Sequence, residues 1–205
     1  MSRRRNLRAG ILPPKLAQIM VNLTRCPEGL TILDPFCGNG GLLQEALLSG
    51  YKVLGSDVDR NQLEICAANL RAFTETWRID QDRLLDLSVA DAASHKWLYK
   101  IDGVASEIDL GPPLGKPASA KYIEPHRHRA AELLRKSLAN LAKQLETGSR
   151  LCLAVPAWPQ KGGGYLKLDP VACSAGLGYS LEDQDLIYCR PNQFVGRQLL
   201  ILKRI

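Results

Sequence analysis

The residues best suited to chemistry form one short glycine-rich segment, which follows the apolar run 31–33 and precedes the amphipathic run 42–48. This order predicts a strand, a tight loop and a helix. α/β proteins use that arrangement to hold a nucleotide-like ligand over a helix N-terminus. Glycines in such a loop let the backbone approach a ligand without a Cβ clash. The segment reads Asp34, Pro35, Phe36, Cys37, Gly38, Asn39, Gly40, with Gly41 after it.

Acidic residues also end the next predicted strands, at 51–56, 84–90 and 102–106. One acid after a strand is commonplace, but four strand ends in succession indicate a shared site. Because ligands of open α/β sheets bind beyond the carboxyl ends of the strands, these acids are expected to converge on one rim. They are Asp34, Asp57, Asp91 and Glu107, with Asp109 two residues beyond the last.

Three of these acids have a partner in one ligand. Asp34 would attract a cationic group, Asp57 would accept both hydroxyls of a ribose, and Asp91 would accept from an exocyclic adenine amine. A ligand with ribose, adenine and positive charge, but no required phosphate, is S-adenosylmethionine. A nicotinamide dinucleotide is the rival, but Leu43 stands where its third glycine would be. A P-loop is excluded, since no Gly-Lys-Ser/Thr follows.

Composition bounds the class of protein. The 205 residues carry 27 Lys and Arg against 21 Asp and Glu, a net charge of +6, which favours a polyanionic partner such as nucleic acid. Six cysteines without a Cys-x-x-Cys pair suit neither a zinc site nor a disulfide framework, so reduced thiols are expected. No apolar run is long enough for a membrane span and no secretory signal is present, so a cytoplasmic protein without membrane contact is predicted.

The alternation of strands and helices predicts an α/β domain over residues 11–205, preceded by a basic tail at 1–10. Its sheet is expected to hold about seven, mostly parallel strands with helices on both faces. The run 11–23, with prolines 13 and 14 at its opening and apolar residues at 16, 19, 20 and 23, predicts an amphipathic helix. A helix over about 61–73 and a long helix over about 125–145 are also predicted. The last strands, near 184–189 and 198–203, are expected to form an antiparallel hairpin. Residues 162–164, three glycines, are predicted to be a plain loop or mobile lid.

Four stretches carry a resemblance to a known family. They are Leu12–Met20, Asp34–Gly40, Gly55–Asp59 and Arg190–Arg197. Together they resemble class I S-adenosylmethionine-dependent methyltransferases, which have a Rossmann-like fold. The branch is that of the tRNA guanosine N2-methyltransferases and their bacterial DNA methylase-like relatives.

The resemblance implies RNA methylation, with tRNA or another RNA as partner. It also implies a donor pocket formed by residues 34–40, Asp57 with Val58, and Asp91 with Ala92. Members of this branch usually carry an N-terminal RNA-binding domain. This chain is therefore expected to correspond to a catalytic domain, served by a separate RNA-binding subunit.

The catalytic loop departs from the family pattern of an acid or asparagine, one or two prolines and an aromatic residue. Here Glu107 is followed by Ile108, Asp109 and Leu110. Glu107 is expected to accept from the target amine, with Asp109 as a second acceptor; the alternative is that both acids merely cap the next segment. The missing aromatic face is left to three candidates, Tyr122, Trp158 and Phe194.

Other functions stay open. A DNA N6-adenine methyltransferase has the same kind of chemistry, and the altered loop would also suit a non-catalytic module that binds donor or RNA. A dehydrogenase is the third alternative. No metal site is predicted: His126 and His128 are two residues apart and do not share a helical face.

Overall fold

The computed structural model describes residues 12–191 and 193–205, with the side chains of residues 184 and 185 left aside. The tail predicted at 1–10 lies outside these ranges. The strands are β1 Thr31–Asp34, β2 Lys52–Asp57, β3 Leu84–Val89, β4 Ile101–Glu107, β5 Leu145–Pro159, β6 Tyr165–Leu166, β7 Tyr179–Tyr188 and β8 Gly196–Arg204. The helices are α1 Pro14–Leu23, α2 Gly41–Leu48, α3 Arg60–Trp77, α4 Ala120–Leu141 and α5 Pro170–Ser174, with a 3-10 turn at Gln81–Arg83.

One sheet joins the strands in the order β3-β2-β1-β4-β5-β8-β7, and the short β6 pairs with β5 alone. Strands β1 to β5 run parallel, whereas β8 is antiparallel to both β5 and β7. The predicted α/β architecture with a C-terminal antiparallel hairpin is confirmed. Strand order reverses between β1 and β4, and such a switch point opens a crevice beyond the carboxyl ends of the strands.

Adjacent residues of a strand pack into two separate hydrophobic cores, one on each face of the sheet. Ile32, Ala105 and Cys152 pack with α1, α2 and α3 on one face. Leu33 and Val104, their neighbours, pack with α4 and α5 on the other. Because side chains alternate across a strand, a strand buried on both faces needs apolar residues at successive positions. The prediction of helices on both faces is confirmed.

Local signals set several helix ends. Pro14 opens α1 as predicted, and the side chain of Asp59 accepts from the Asn61 N–H at 2.8 Å to cap α3. The predicted start of the long helix at Pro125 is wrong: Ser119 caps α4, which begins at Ala120. Its predicted end is also late, because Leu145 already opens β5.

The glycine run at 162–164, predicted to be a plain loop or mobile lid, lies in the turn of a hairpin between β5 and β6. β5 continues to Pro159, and β6 pairs back onto Trp158 and Pro159. The Gln160 N–H donates to the Gly164 carbonyl at 3.0 Å and closes the turn. Within the described ranges, no helix has the length and apolar character needed to cross a membrane.

Candidate active site

A cavity of about 710 Å³ opens at the carboxyl-end edge of the sheet, beside the switch between β1 and β4. Four segments form its wall: the loop after β1, the end of β2, the loop after β4, and the approach to β8. They contribute Phe36; Asp57, Val58 and Asp59; Glu107, Ile108, Asp109, Leu110, Gly111, Pro112, Pro113 and Leu114; and Gln193, Phe194, Val195 and Arg197. The predicted convergence of strand ends therefore brings Asp57, Glu107 and Asp109 to one space.

Asp57 organises the side of the cavity next to the glycine loop. One carboxylate oxygen accepts from the Gly38 N–H at 2.8 Å, and the other accepts from the Asp59 N–H at 2.9 Å. An ionised carboxylate offers about four lone-pair sites, so two remain for hydroxyl donors. Val58, 75% exposed, presents an apolar face beside it. This end of β2 can thus hold a ribose and the flat base attached to it.

The middle of the glycine loop supports the wall from behind. The Cys37 N–H donates to the Ser56 carbonyl at 2.9 Å, and the Asn39 carbonyl accepts from the Asn69 side chain at 3.0 Å. A hydrogen bond with Cys66, together with burial, raises the pKa of the Cys37 thiol. Residues 37–40 are absent from the described lining, and Gly40 leads directly into α2.

Asp34 lies inside the protein, 3% exposed, and is not a lining residue. Its carboxyl accepts from the Ser106 hydroxyl at 2.5 Å and from the Phe36 N–H at 3.1 Å. Burial raises the pKa of Asp34 to about 7, although both hydrogen bonds act to lower it. Pro35, also buried, accepts from the Ser56 hydroxyl through its carbonyl. The start of the loop thereby ties β1 to β2 and β4.

Asp91 and Ala92 form a turn next to the cavity but outside its described lining. The exposed Asp91 carboxylate accepts from the Ala93 N–H at 2.8 Å, and buried Ala92 accepts from the Asn140 side chain at 3.0 Å. The Ala90 N–H donates to the Asp57 carbonyl at 2.9 Å, which joins this turn to the end of β2.

On the opposite side of the cavity, Glu107 forms an ion pair with Arg197. The guanidinium donates from Nε to one carboxylate oxygen and from Nη2 to the other, the latter at 3.2 Å. Arg197 is 1% exposed, and the Glu107 side chain is 20% exposed. Burial raises the pKa of Glu107, and the charge and hydrogen bonds of Arg197 oppose that rise.

Sequence reasoning quoted Arg197 only as part of a motif and missed this contact. The available signal was a cation directly before the predicted strand at 198–203, whose apolar run begins at Leu199. When the strand lies inside a sheet, such a cation is carried into the interior and must be paired with an acid there.

The loop after β4 is held in a way that a proline would not allow. Ile108 is 2% exposed, and its N–H donates to the Ala154 carbonyl at 3.1 Å, extending the pairing of β4 with β5. A proline has no such donor. Asp109 is exposed, and its carboxylate accepts from the Gly111 N–H at 2.9 Å. This hydrogen bond gives Asp109 the capping role that was the alternative to a part in catalysis.

The three aromatic candidates occupy different places. Phe194 lines the cavity, with Phe36 elsewhere on its wall. Trp158 is 3% exposed within the core, and Tyr122 is 51% exposed with its ring 5.2 Å from that of His126. Of the three, Phe194 is therefore the one placed to stack on a ligand. Among the described residues, no three His, Cys, Asp or Glu side chains are grouped to hold a metal.

Comparison with known proteins identifies the family. Residues 2–159 match the family described as "RMKL-like, methyltransferase domain". The tRNA (guanine(10)-N2)-dimethyltransferase of Methanothermobacter thermautotrophicus is 34% identical over 149 residues, which cover 72% of this chain and 39% of that protein. The chain thus spans about two fifths of the length of this relative.

Two solved structures share the fold. TrmN from Thermus thermophilus superposes with a TM-score of 0.68 at 20% identity, over 98% of this chain and 51% of that one. Magnesium protoporphyrin IX methyltransferase from Synechocystis, solved with bound SAM, gives a TM-score of 0.61 at 18% identity, over 93% and 77%. The family match, which covers well over half of the residues, establishes that the chain belongs to the RMKL-like methyltransferase domain family.

Proposed function

We propose that this chain is an S-adenosylmethionine-dependent methyltransferase acting on an exocyclic amine of a nucleic-acid base. Guanine N2 in tRNA or another RNA is the preferred target. One observation carries the proposal: Asp57, suited to a ribose, and Glu107, suited to an amine, line the same cavity with two phenylalanines.

The donor would occupy the side of the cavity formed by β1 and β2. Asp57 would accept the ribose hydroxyls, and Val58 would pack on the adenine. Residues 34–40 would shape the loop over the N-terminus of α2, with Asp34 acting from behind it through Phe36 and Ser106. Asp91 and Ala92 would close the adenine side from the neighbouring turn. When bound, the donor supplies an electrophilic methyl group on a positively charged sulfur.

The base would enter on the side formed by the loop after β4. The lone pair of an aromatic amine is delocalised into its ring, so an acceptor must draw the NH₂ group toward tetrahedral geometry. Glu107 would accept one N–H of the amine and take its proton as the N–C bond forms and the bond between the methyl group and sulfur breaks, which would leave neutral S-adenosylhomocysteine. Phe194 would stack on the base, and Asp109 would act as the second acceptor.

The relatives support the choice of RNA. The similar protein from Methanothermobacter is named for guanine N2 methylation in tRNA, and the net charge of +6 suits a polyanion. The chain would form a single domain over 11–205, and a separate RNA-binding subunit would bring the RNA to it. A cytoplasmic location is part of the proposal, supported by six free cysteines, since thiols persist in a reducing compartment.

Calorimetric titration with S-adenosylhomocysteine tests the donor half. The wild type should bind, and Asp57→Ala should weaken binding by at least about tenfold, because a hydrogen bond to a charged group is worth about 1.5–3 kcal/mol. Asp80→Ala is the matched control, since Asp80 caps the 3-10 turn at Gln81–Arg83 and does not line the cavity. No binding at millimolar ligand would contradict the donor site.

Methyl transfer from labelled donor to total tRNA, ribosomal RNA and DNA tests the acceptor half. Incorporation into tRNA, recovered as N2-methylguanosine after digestion, is the expected result. Incorporation confined to DNA adenine would move the assignment to a DNA N6-adenine methyltransferase.

A non-catalytic module is the second candidate, because Arg197 engages both oxygens of Glu107 and the Asp109 side chain accepts from Gly111. Comparing the wild type with Glu107→Ala separates the two functions. A loss of turnover on substitution favours the enzyme. Donor binding by both proteins without turnover by either favours the module.

A further inference from the structure

A buried arginine joins two distant strands at the cavity wall. Glu107 ends β4 opposite Ala154 of β5, and Arg197 lies in β8 opposite Pro156 of β5. The ion pair therefore crosses over β5, between residues 90 positions apart in the chain. Neighbouring strands are about 4.8 Å apart, so the side chains bridge roughly 10 Å between the two outer backbones.

The two side chains meet on the face of the sheet covered by α1, α2 and α3. Ala105, Ala154 and Leu199 all belong to that core. Glu107 and Arg197 stand two residues from Ala105 and Leu199 along their strands and so share their face. Small residues on β4 and β5 leave room for the long arginine side chain above the sheet.

We propose that Arg197 is a positioning residue for Glu107: it holds the carboxylate ionised and in one orientation for the amine of the target base. This inference rests on the proposed function. Two parallel N–H···O bonds fix the plane of the carboxylate, whereas a single contact would leave it free to rotate. Two of the four lone-pair sites remain for the amine.

The charge of Arg197 has a second consequence. A buried carboxyl group tends to take up a proton, and a protonated group has lost acceptor capacity on one oxygen. Burial does raise the pKa of Glu107, and Arg197 acts in the opposite direction. Asp34 is another charged neighbour, and the charge of Glu107 adds to the rise of the Asp34 pKa. Removal of the guanidinium should therefore protonate Glu107 at pH values where the wild type is ionised.

The test is the pH dependence of turnover in Arg197→Gln. The acidic limb of the kcat profile should move to higher pH, and kcat near neutral pH should fall about 100-fold, the usual scale for a mispositioned acid–base group. Affinity for S-adenosylhomocysteine should stay within about threefold, because Arg197 lies on the acceptor side of the cavity. Glu107→Gln should abolish the acidic limb, and adding Arg197→Gln to it should cause no further loss.

Arg204→Gln is the matched control on the same strand, since Arg204 donates to the Ala142 and Gly178 carbonyls at the far end of β8. It should lower thermal stability and leave the acidic limb in place. If Arg197→Gln also leaves the limb in place, the arginine is only structural and the inference fails. Arg197→Lys, which keeps the charge but loses the fork, serves if the glutamine variant does not fold; it should keep the limb and lower kcat.

A readout without turnover separates this inference from the proposed function. The Glu107 carboxyl can be titrated by carbon NMR in the wild type and in Arg197→Lys and Arg197→Gln. Its pKa should rise in Arg197→Gln. An inactive wild type that shows this rise would refute the proposed function and leave the ion-pair effect intact. An unchanged pKa would overturn the inference whatever the activity.

Discussion

Asp34 was expected to face a ligand, but its carboxyl group is buried and forms its hydrogen bonds inside the protein. It receives the Ser106 hydroxyl from the end of β4 and the Phe36 N–H from its own loop. The first of these bonds joins the two strands that flank the switch point. Full burial is the cost, and it raises the pKa of Asp34 from its ordinary value of 3.8 to about 7.

The first prediction concerns Asp34→Asn. Between pH 4 and 7 the folded wild type binds more protons at this site than the unfolded chain does. Its free energy of unfolding should therefore fall as pH rises, by up to about 1.4 kcal/mol per pH unit. The amide of the variant cannot titrate, so the variant should gain stability relative to the wild type across this window. Urea unfolding at intervals from pH 4 to 8 measures the difference.

Asp80→Asn is the control for this prediction. Asp80 is an exposed cap, so Asp80→Asn shows what the exchange of a carboxyl group for an amide does at a site without burial. Parallel stability curves for the wild type and Asp34→Asn would contradict a raised pKa for Asp34.

Sequence reasoning located the acids but not the direction of their side chains. Strand ends follow from local hydrophobic periodicity, so Asp34, Asp57, Asp91 and Glu107 were all expected at one edge, and the strands do end there. Whether a carboxylate faces the cavity depends on partners far along the chain. Ser106 is 72 residues from Asp34, and Arg197 is 90 from Glu107. No local pattern encodes such contacts.

At the level of elements, types were predictable and boundaries were less so. Leu145 continues the helical spacing of Leu141, yet it opens β5, because pairing with β4 begins there. Pro125 is a typical helix start, but the Ser119 cap lets α4 begin five residues earlier, at Ala120. Strand pairing sets the first of these boundaries and a single capping hydrogen bond sets the second, and helical periodicity misplaces both.

The second prediction concerns the junction between the glycine loop and α2. Gly40 has φ of 86°, and a Cβ there would lie 2.8 Å from the Cys66 sulfur on α3. Gly40→Ala should cost about 2–3 kcal/mol of unfolding free energy, from the left-handed backbone and the overpacked sulfur together. It should also weaken donor binding, because the N-terminus of α2 would shift. Denaturant unfolding and calorimetry measure the two effects.

Gly41→Ala is a control one residue away. Gly41 is the first helical residue, and a Cβ there would meet only the Asn39 side-chain oxygen, at 3.8 Å. This substitution should be neutral or slightly stabilising, since alanine loses less entropy than glycine on folding. Equal destabilisation by both variants would contradict this explanation, because the left-handed backbone and the close approach to the Cys66 sulfur occur at Gly40 and not at Gly41.

At the level of the whole molecule, the cavity gives the sheet a functional edge and an opposite edge. The loop after β4 leaves the cavity at Leu114 and runs through exposed Lys116 to exposed Lys121 in the first turn of α4. Lys52 is also exposed, but it begins β2, whose other end carries Asp57. Five steps along the strand separate these ends, a distance of about 17 Å. A polyanion bound over the cavity should therefore contact the first two lysines and not the third.

The third prediction follows from that polarity. Lys116→Gln with Lys121→Gln should weaken tRNA binding, and the slope of log affinity against log salt should become shallower by about 1.4–1.8, since each phosphate contact accounts for 0.7–0.9. Lys52→Gln removes a charge from the opposite edge and should leave the slope unchanged, apart from a small effect of net charge. Binding isotherms between 50 and 300 mM salt, about the usual working range, measure all three proteins. A slope shallower by about 0.7–0.9 for Lys52→Gln would mean that a phosphate also binds at the opposite edge of the sheet, and it would contradict RNA binding confined to the cavity edge.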